Sequence, residues 1–260
     1  MNTATLDPQP GRAPADDPTA FTGWLLEVVP ETDTTNRLAA ALPAWNAVRA
    51  DTQSAGRGRT GRAWTSDRGG LWLSAVVPCP GPREQWALLP LAVGWALGEA
   101  LRGLGVRGLR LRWPNDLLVG SRKLAGLLME RHNSATAVVG VGLNVFNSPE
   151  QASPVLRDTT IRLADLVPLA HRDLDDLSAL LLHAIARAHQ ALLAGDFPKI
   201  AAALNHAWRE PRRVALDLAG RAEPVVGDFL GIDSAGNLRL RADDVVTTHD
   251  STQVALLREL

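Results

Sequence analysis

The residues of this chain best suited to chemistry crowd into one stretch, Gln53-Ser54-Ala55-Gly56-Arg57-Gly58-Arg59-Thr60-Gly61-Arg62, and one later lysine, Lys123. Glycines alternating with arginines let a backbone lie close to a ligand while fixed positive charges surround it. Such a loop suits an anion. Lys123 stands out because the chain has nearly abandoned lysine: of 27 basic residues, only Lys123 and Lys199 are not arginine. A compact ammonium makes a point contact to a phosphate or carboxylate that a planar guanidinium does not reproduce, so Lys123 reads as retained for chemistry.

Three shorter constellations accompany the loop. Asp33-Thr34-Thr35-Asn36 opens a short helix whose first amides would face whatever the arginine loop binds. Trp113-Pro114-Asn115-Asp116 taken alone is a strand end and a turn, because proline keeps the preceding residue extended and Asn-Asp favours turning. In Gly140-Val141-Gly142-Leu143-Asn144 both glycines fall on the same face of a strand, where a ligand can approach the backbone, and Asn144 could orient toward the same site. The glycine-arginine loop by itself also reads as a solvated segment or an RNA-binding one. It lacks the Gly-Lys-Ser/Thr of a phosphate-binding P-loop and the spacing of a dinucleotide fingerprint.

The elements that must position these residues follow from periodicity and turn chemistry. Trp24 to Val29 reads as a first strand, Asn36 to Leu42 as a short helix, Asn46 to Asp51 as a strand entering the arginine loop and Leu71 to Val77 as one leaving it. Helical spacing from Arg83 to Leu104 predicts one long core helix. Leu109 to Trp113, Asp116 to Val119, Lys123 to Arg131 and Ala137 to Val145 read as successive strands, mostly antiparallel or mixed because few long helices separate them. Residues from Thr160 to Trp208 return to helices, the clearest from Leu174 to Leu193. After Pro211 short β-like segments begin, with a turn at Asp233-Ser234-Ala235-Gly236-Asn237. The expected division is a disordered tail over 1–20, rich in Pro, Asp, Ala and Gly, a catalytic domain over 21–210 and a small β domain over 211–260.

Composition narrows the function classes. A net charge of −1 with 46% hydrophobic residues describes an ordinary globular chain, not a strongly basic nucleic-acid binder. Cys79 is the only cysteine, which excludes an internal disulfide and a cysteine-rich metal site and fits a reducing cytoplasm. No apolar run reaches the roughly 20 residues of a membrane span, and the N-terminus lacks a signal-peptide pattern. No helix-turn-helix domain fits before Phe21, which argues against a DNA-binding repressor role. The six histidines have no metal-ligand spacing, and His183 and His189 on the predicted helix read as solvated or core residues. The eight tryptophans, without one tyrosine, are mostly core filling.

Taken together and in order, the four constellations resemble biotin protein ligase. The motifs span about residues 24 to 145; the later helices and the small β domain agree in layout. The resemblance implies an α+β fold, with a mixed, mostly antiparallel sheet carrying packed helices as in class II synthetases, and an SH3-like C-terminal β domain. It also implies a two-step, ATP- and Mg²⁺-dependent enzyme that forms biotinyl-5′-adenylate and then acylates a lysine of a biotin carboxyl carrier domain. The enzyme would be cytoplasmic, without DNA or membrane partners, and a monomer or homodimer.

By position, Thr34, Thr35, Asn36, Gln53, Gly56, Arg57, Arg59, Lys123, Gly126 and Gly140 would bind biotin. Arg57, Arg59, Arg62, Trp64, Asn115, Asp116, Lys123, Gly142 and Asn144 would bind the nucleotide. Lys123, Arg57, Arg59 and Asp116 would be catalytic, and Mg²⁺ would be held mainly by the phosphates. Asp116 is a candidate to orient or deprotonate the acceptor amine, or else to cap its turn or help place Mg²⁺. Thr34 stands where the family commonly has serine, and Arg112 where lysine commonly precedes Trp-Pro-Asn-Asp. Lipoate or octanoate attachment is the enzymatic alternative, and nucleic-acid binding through the Arg57 to Arg62 loop the alternative of another class.

Overall fold

The computed structural model describes residues 3–5, 21–131, 133–151, 153–169 and 173–260. Its frame is an eight-stranded sheet made of β1 (Thr3–Thr5), β2 (Leu25–Thr32), β3 (Asn46–Gln53), β4 (Leu71–Pro78), β5 (Leu109–Arg112), β6 (Asp116–Val119), β7 (Arg122–Glu130) and β8 (Thr136–Leu143). They lie in the order β1-β2-β3-β4-β8-β7-β6-β5. Only β2 and β3 run parallel, joined through helix α1 (Thr35–Ala39); the other neighbours are antiparallel.

The two central strands sort their residues with period two. Leu71, Leu73, Ala75 and Val77 of β4, and Val139, Val141 and Leu143 of β8, join the main hydrophobic core. Val76 and Val138 instead pack with Val48 and Ala39 on the opposite face, where α1 lies. Over the first face lie α3 (Leu89–Gly103), α5 (Leu174–Leu193) and α6 (Phe197–Ala207). α5 has the predicted ends: Asp173 accepts from the N–H groups of Asp175 and Asp176, and Gly195 takes the left-handed conformation just past the C-cap. No single helix among the described residues is long and apolar enough to cross a membrane.

Four expectations need correction. The single helix over Arg83 to Leu104 is two, α2 (Arg83–Trp86) and α3. Pro90 lacks an amide hydrogen and would clash with the preceding turn, so it sits in the first turn of a new helix. In the tail, Thr3–Thr5 pairs antiparallel with Glu27 to Leu25, using the open edge of β2; residues 1–2 and 6–20 lie outside the described residues. A further short helix, α4 (Leu156–Thr159), forms where none is predicted. The N-cap Thr34 makes no side-chain cap bond; Gln53 Oε1 accepts the Thr35 N–H at 2.8 Å instead. Cys79 is buried, which raises its thiol to about 11 and makes it a poor nucleophile.

The second sheet contains β9 (Arg212–Leu218), β10 (Val225–Ile232), β11 (Leu238–Ala242), β12 (Val245–His249) and β13 (Val254–Glu259), all antiparallel in the order β12-β11-β10-β9-β13. The predicted turn at Asp233 to Asn237 is present, with the Asp233 carboxylate accepting from the N–H groups of Ala235 and Asn237. Its Gly236 carbonyl accepts the Trp113 indole N–H at 3.0 Å, and Trp208 Nε1–H donates to Leu111 O at 2.7 Å. Arg110 grips Glu259 with two 2.5 Å contacts. Leu238, Leu240 and Val254 belong to the same hydrophobic cluster as the helices.

Candidate active site

On the α1 side of the large sheet opens a cavity of about 850 Å³. Strands β4, β8 and β7 supply its floor, the glycine-arginine loop one wall, and α4 with Ala255 to Arg258 of β13 two others. The loop is an ordered hairpin: Arg57 bridges Ala63, Gln53 bridges Ser66, Gly58 N–H donates to Arg62 O at 2.7 Å, and Trp64 N–H donates to Gly56 O at 2.8 Å. Arg59 reaches out of it to the carbonyls of Ser251 and Val254, fastening the loop to the C-terminal sheet.

Glycines form the floor because side chains pass directly over them. A Cβ on Gly142 would lie 2.6 Å from the Trp64 indole nitrogen, and one on Gly126 3.0 Å from Lys123 Nζ. A Cβ on Gly140 would collide with Asn36 Oδ1. Gly140 and Gly142 are separated by roughly 7 Å along β8, and they mark two ends of different character. Around Gly140 are the uncharged groups of Thr35, Asn36 and Gln53; around Gly142 and Gly126 are Trp64, Lys123 and Asp116.

At the charged end, Lys123 Nζ lies 2.6 Å from Asp116 Oδ1 and Arg112 Nη2 lies 2.6 Å from Asp116 Oδ2. Burial pushes the Asp116 carboxyl up, but the charges of Lys123 and Arg112 outweigh it and hold the group below the ordinary carboxylate range. Lys123 also stands over the Trp64 ring, 4.8 Å from its centroid. The Trp64 indole N–H is buried against Gly142 and has no acceptor among the described residues. No three His, Cys, Asp or Glu among the described residues are grouped to hold a metal ion.

Of the residues singled out from the sequence, Thr34, Thr35, Asn36, Gln53, Arg57, Arg59, Arg62, Trp64, Asn115, Asp116, Lys123, Gly126, Gly140 and Gly142 all line this cavity. Gly56 and Asn144 do not. Gly56 is buried within the loop, where a Cβ would meet Ser66 Oγ and Trp64 O at 2.5 Å. Asn144 lies behind the floor: its Nδ2–H donates to Lys123 O at 3.3 Å and its amide to Leu124 O at 3.0 Å, so it holds the lysine's backbone. Asn115 is likewise tied to β7, donating from Nδ2 to Leu127 O at 2.6 Å.

Sequence reasoning missed Ser74 and Glu130, which brace Thr35 and Asn36 from below, and the wall formed by β13 and α4. Ser74 left a signal: it is a hydroxyl inside the wholly buried strand Leu-Trp-Leu-Ser-Ala-Val-Val-Pro, where a polar group needs a partner.

A model of the biotin/lipoate A/B protein ligase family matches residues 25–145, the strands that build the floor and the loop that builds one wall. The biotin–[acetyl-CoA-carboxylase] ligase of Mycobacterium tuberculosis is 34% identical over 85% of this chain and 85% of its own. The ligase of the same name from Paracoccus denitrificans is 33% identical over 81% of this chain and 91% of its own. The fold resembles that of the Aquifex aeolicus biotin protein ligase solved with biotin and ATP, with a TM-score of 0.77 at 24% identity over 90% of this chain and 99% of that one. With two curated relatives above 30% identity across most of both chains, and the cavity floor built where the family model matches, this chain belongs to the biotin protein ligase family.

Proposed function

We propose that this chain activates biotin with MgATP to biotinyl-5′-adenylate and transfers the biotinyl group to a lysine of a carboxylase's biotin carrier domain. The observation that carries this reading is the joining of an uncharged polar end and a cationic end in one cavity. An acid with a neutral polar head could seat the head near Thr34, Thr35, Asn36 and Gln53 and reach toward Arg57, Arg59, Arg62 and Lys123 with its carboxylate. The relatives named as biotin ligases support the choice of acid.

The first step brings two anions together: a carboxylate oxygen bonds to the α-phosphorus as the bond to pyrophosphate breaks. A carboxylate is already ionised at neutral pH, so no base is required. Two unit charges about 4 Å apart repel by roughly 4 kcal/mol at an effective dielectric of 20. Cations at Lys123, Arg57 and Arg59 offset that repulsion, Lys123 and Arg59 being already held in place. Asp116 holds Lys123 over the floor of the cavity before the substrates arrive. Mg²⁺ would be held mainly by the nucleotide phosphates and would screen their charge.

In the second step a neutral lysine amine attacks the acyl carbonyl, AMP departs, and the amine loses a proton. Neutralising a lysine of pKa about 10.4 at pH 7 costs roughly 4 to 5 kcal/mol. Asp116, held below the carboxylate range by two cations, is a weak proton acceptor; its geometry favours orientation over deprotonation. The Arg57 to Ala63 hairpin, latched by Arg59, keeps water from the mixed anhydride.

The test is biotin-dependent exchange of labelled pyrophosphate into ATP, with lipoate, octanoate and Lys123→Ala run alongside. Exchange with biotin alone, lost by about a thousandfold in the variant, is the expected result. Exchange supported by lipoate or octanoate instead would reassign the acid, and none with any acid would overturn the ligase reading.

A further inference from the structure

At the uncharged end of the cavity five side chains form a hydrogen-bonded chain, of which Thr35, Asn36 and Ser74 are buried. Asn36 Nδ2–H donates to Glu130 Oε2 at 2.5 Å. Ser74 Oγ lies 2.6 Å from Asn36 Oδ1 and 2.7 Å from Thr35 Oγ1. Thr35 Oγ1 lies 3.1 Å from Gln53 Oε1, which already accepts the Thr35 main-chain N–H. Ser74 is 0% exposed, and neither it nor Glu130 lines the cavity.

Counting hydrogens gives this chain a direction. An ionised carboxylate accepts and has nothing to donate, so Glu130 turns the Asn36 amide with its NH₂ toward itself and Oδ1 toward Ser74. Oδ1 can only accept, which commits the single Ser74 hydrogen to it. Ser74 then offers Thr35 a lone pair alone, and the Thr35 hydrogen is drawn inward to Ser74 or Gln53. Thr35 therefore presents an acceptor to the cavity. With the amide reversed, its NH₂ would donate to Ser74 and the Ser74 hydrogen would occupy a Thr35 lone pair, weakening Thr35 as an acceptor toward the cavity. Gly140 protects the arrangement, since any side chain there would displace the amide.

We propose that Glu130 is a positioning residue that acts through Asn36 and Ser74 to make the Thr35 hydroxyl an acceptor, selecting an acid whose head carries an N–H donor. The inference rests on the biotin reading and sharpens it: the ureido ring of biotin carries two N–H groups, and the heads of lipoate and octanoate carry none. A carboxylate outside the cavity thus sets which acid the cavity retains. Asn36 and Ser74 transmit its preference and do not touch the reacting atoms.

The experiment is pyrophosphate exchange at varied biotin and varied ATP for the wild type, Glu130→Gln, Ser74→Ala and the double variant. Each single substitution is expected to raise the KM for biotin roughly fivefold to tenfold, the worth of about one hydrogen bond. The kcat and the KM for ATP should stay at wild type, and the double variant should be no worse than the weaker single one, because both break the same chain. Additive losses, a parallel rise in the KM for ATP, or no effect of Glu130→Gln would overturn the relay. Should Ser74→Ala fail to fold, the KM-against-kcat split of Glu130→Gln decides alone. A wild type without biotin-dependent exchange would overturn the functional reading beneath it instead.

Discussion

The two faces of the large sheet use the same strands for opposite ends. Toward α3 and α5, β4 and β8 present Leu71, Leu73, Ala75, Val77, Val139, Val141 and Leu143, an apolar surface that needs no direction. Toward α1 and the cavity they present Ser74, Gly140 and Gly142, where bulk is removed and the buried Ser74 hydroxyl is bonded to Asn36 and Thr35. Even the helical face's buried histidine is treated differently. His189, 0% exposed, shares one hydrogen bond with Pro78 O at 2.8 Å and sits against Trp86 and Trp45. One face therefore stores stability through burial, and the other holds a ligand-shaped void through hydrogen-bond directionality. Alternation along a strand lets one sheet do both.

The comparison breaks most visibly at Gly142. A valine there has no room beneath the Trp64 ring, so Gly142→Val should lower biotin-dependent pyrophosphate exchange by at least about a hundredfold. Circular dichroism should still report a folded sheet. The opposite result is expected from Leu71→Ala on the helical face: a loss of about 2 to 5 kcal/mol in denaturant unfolding, with near-normal KM for biotin at a permissive temperature. If Leu71→Ala raised the KM for biotin as much as it cost stability, the faces would not be separable.

Smaller effects sharpen the contrast. Arg59→Gly removes the latch to the Ser251 and Val254 carbonyls and should release activated biotin, read as a several-fold rise in biotin incorporated into an unrelated lysine-rich protein. No rise over wild type would assign the latch to stability alone. On the helical face, burial lowers the pKa of His189, while its bond to Pro78 acts against that. The unfolded chain then binds the proton more readily than the folded one. The neutral ring's contribution is full above the unfolded pKa of about 6.5 and is lost as pH falls below it toward the folded value. Unfolding midpoints measured between pH 7.5 and 5.5 should fall in the wild type and change less in His189→Gln; equal slopes would assign the pH dependence elsewhere.

Much of this was legible in the chain because local rules sufficed. Strand alternation, helical spacing and turn residues give β6 at Asp116–Val119, α5 at Leu174–Leu193 and the Asp233 turn with the expected bounds. The break between α2 and α3 was also written there, in Pro90, but apolar spacing continued across it and masked the signal. Fourteen proposed site residues line one cavity because the motifs lie at the ends of neighbouring strands. Asn144 and Gly56 look the same in sequence and fall behind that surface, because a motif does not say which side of the backbone a group takes once the loop closes.

By itself the sequence determined the α+β frame, the strand alternation, the concentration of cationic chemistry in Arg57 to Arg62 and Lys123, and the family to which these belong. Those properties reside in residue types and short spacings. Only tertiary structure decided that Asp116 is clamped between Lys123 and Arg112, that Arg59 is fastened to the C-terminal sheet, and that Glu130 orders the hydrogen bonds beneath Thr35. Each joins groups carried by different elements of the chain, and the geometry of such a join is fixed when distant segments pack and desolvate one another.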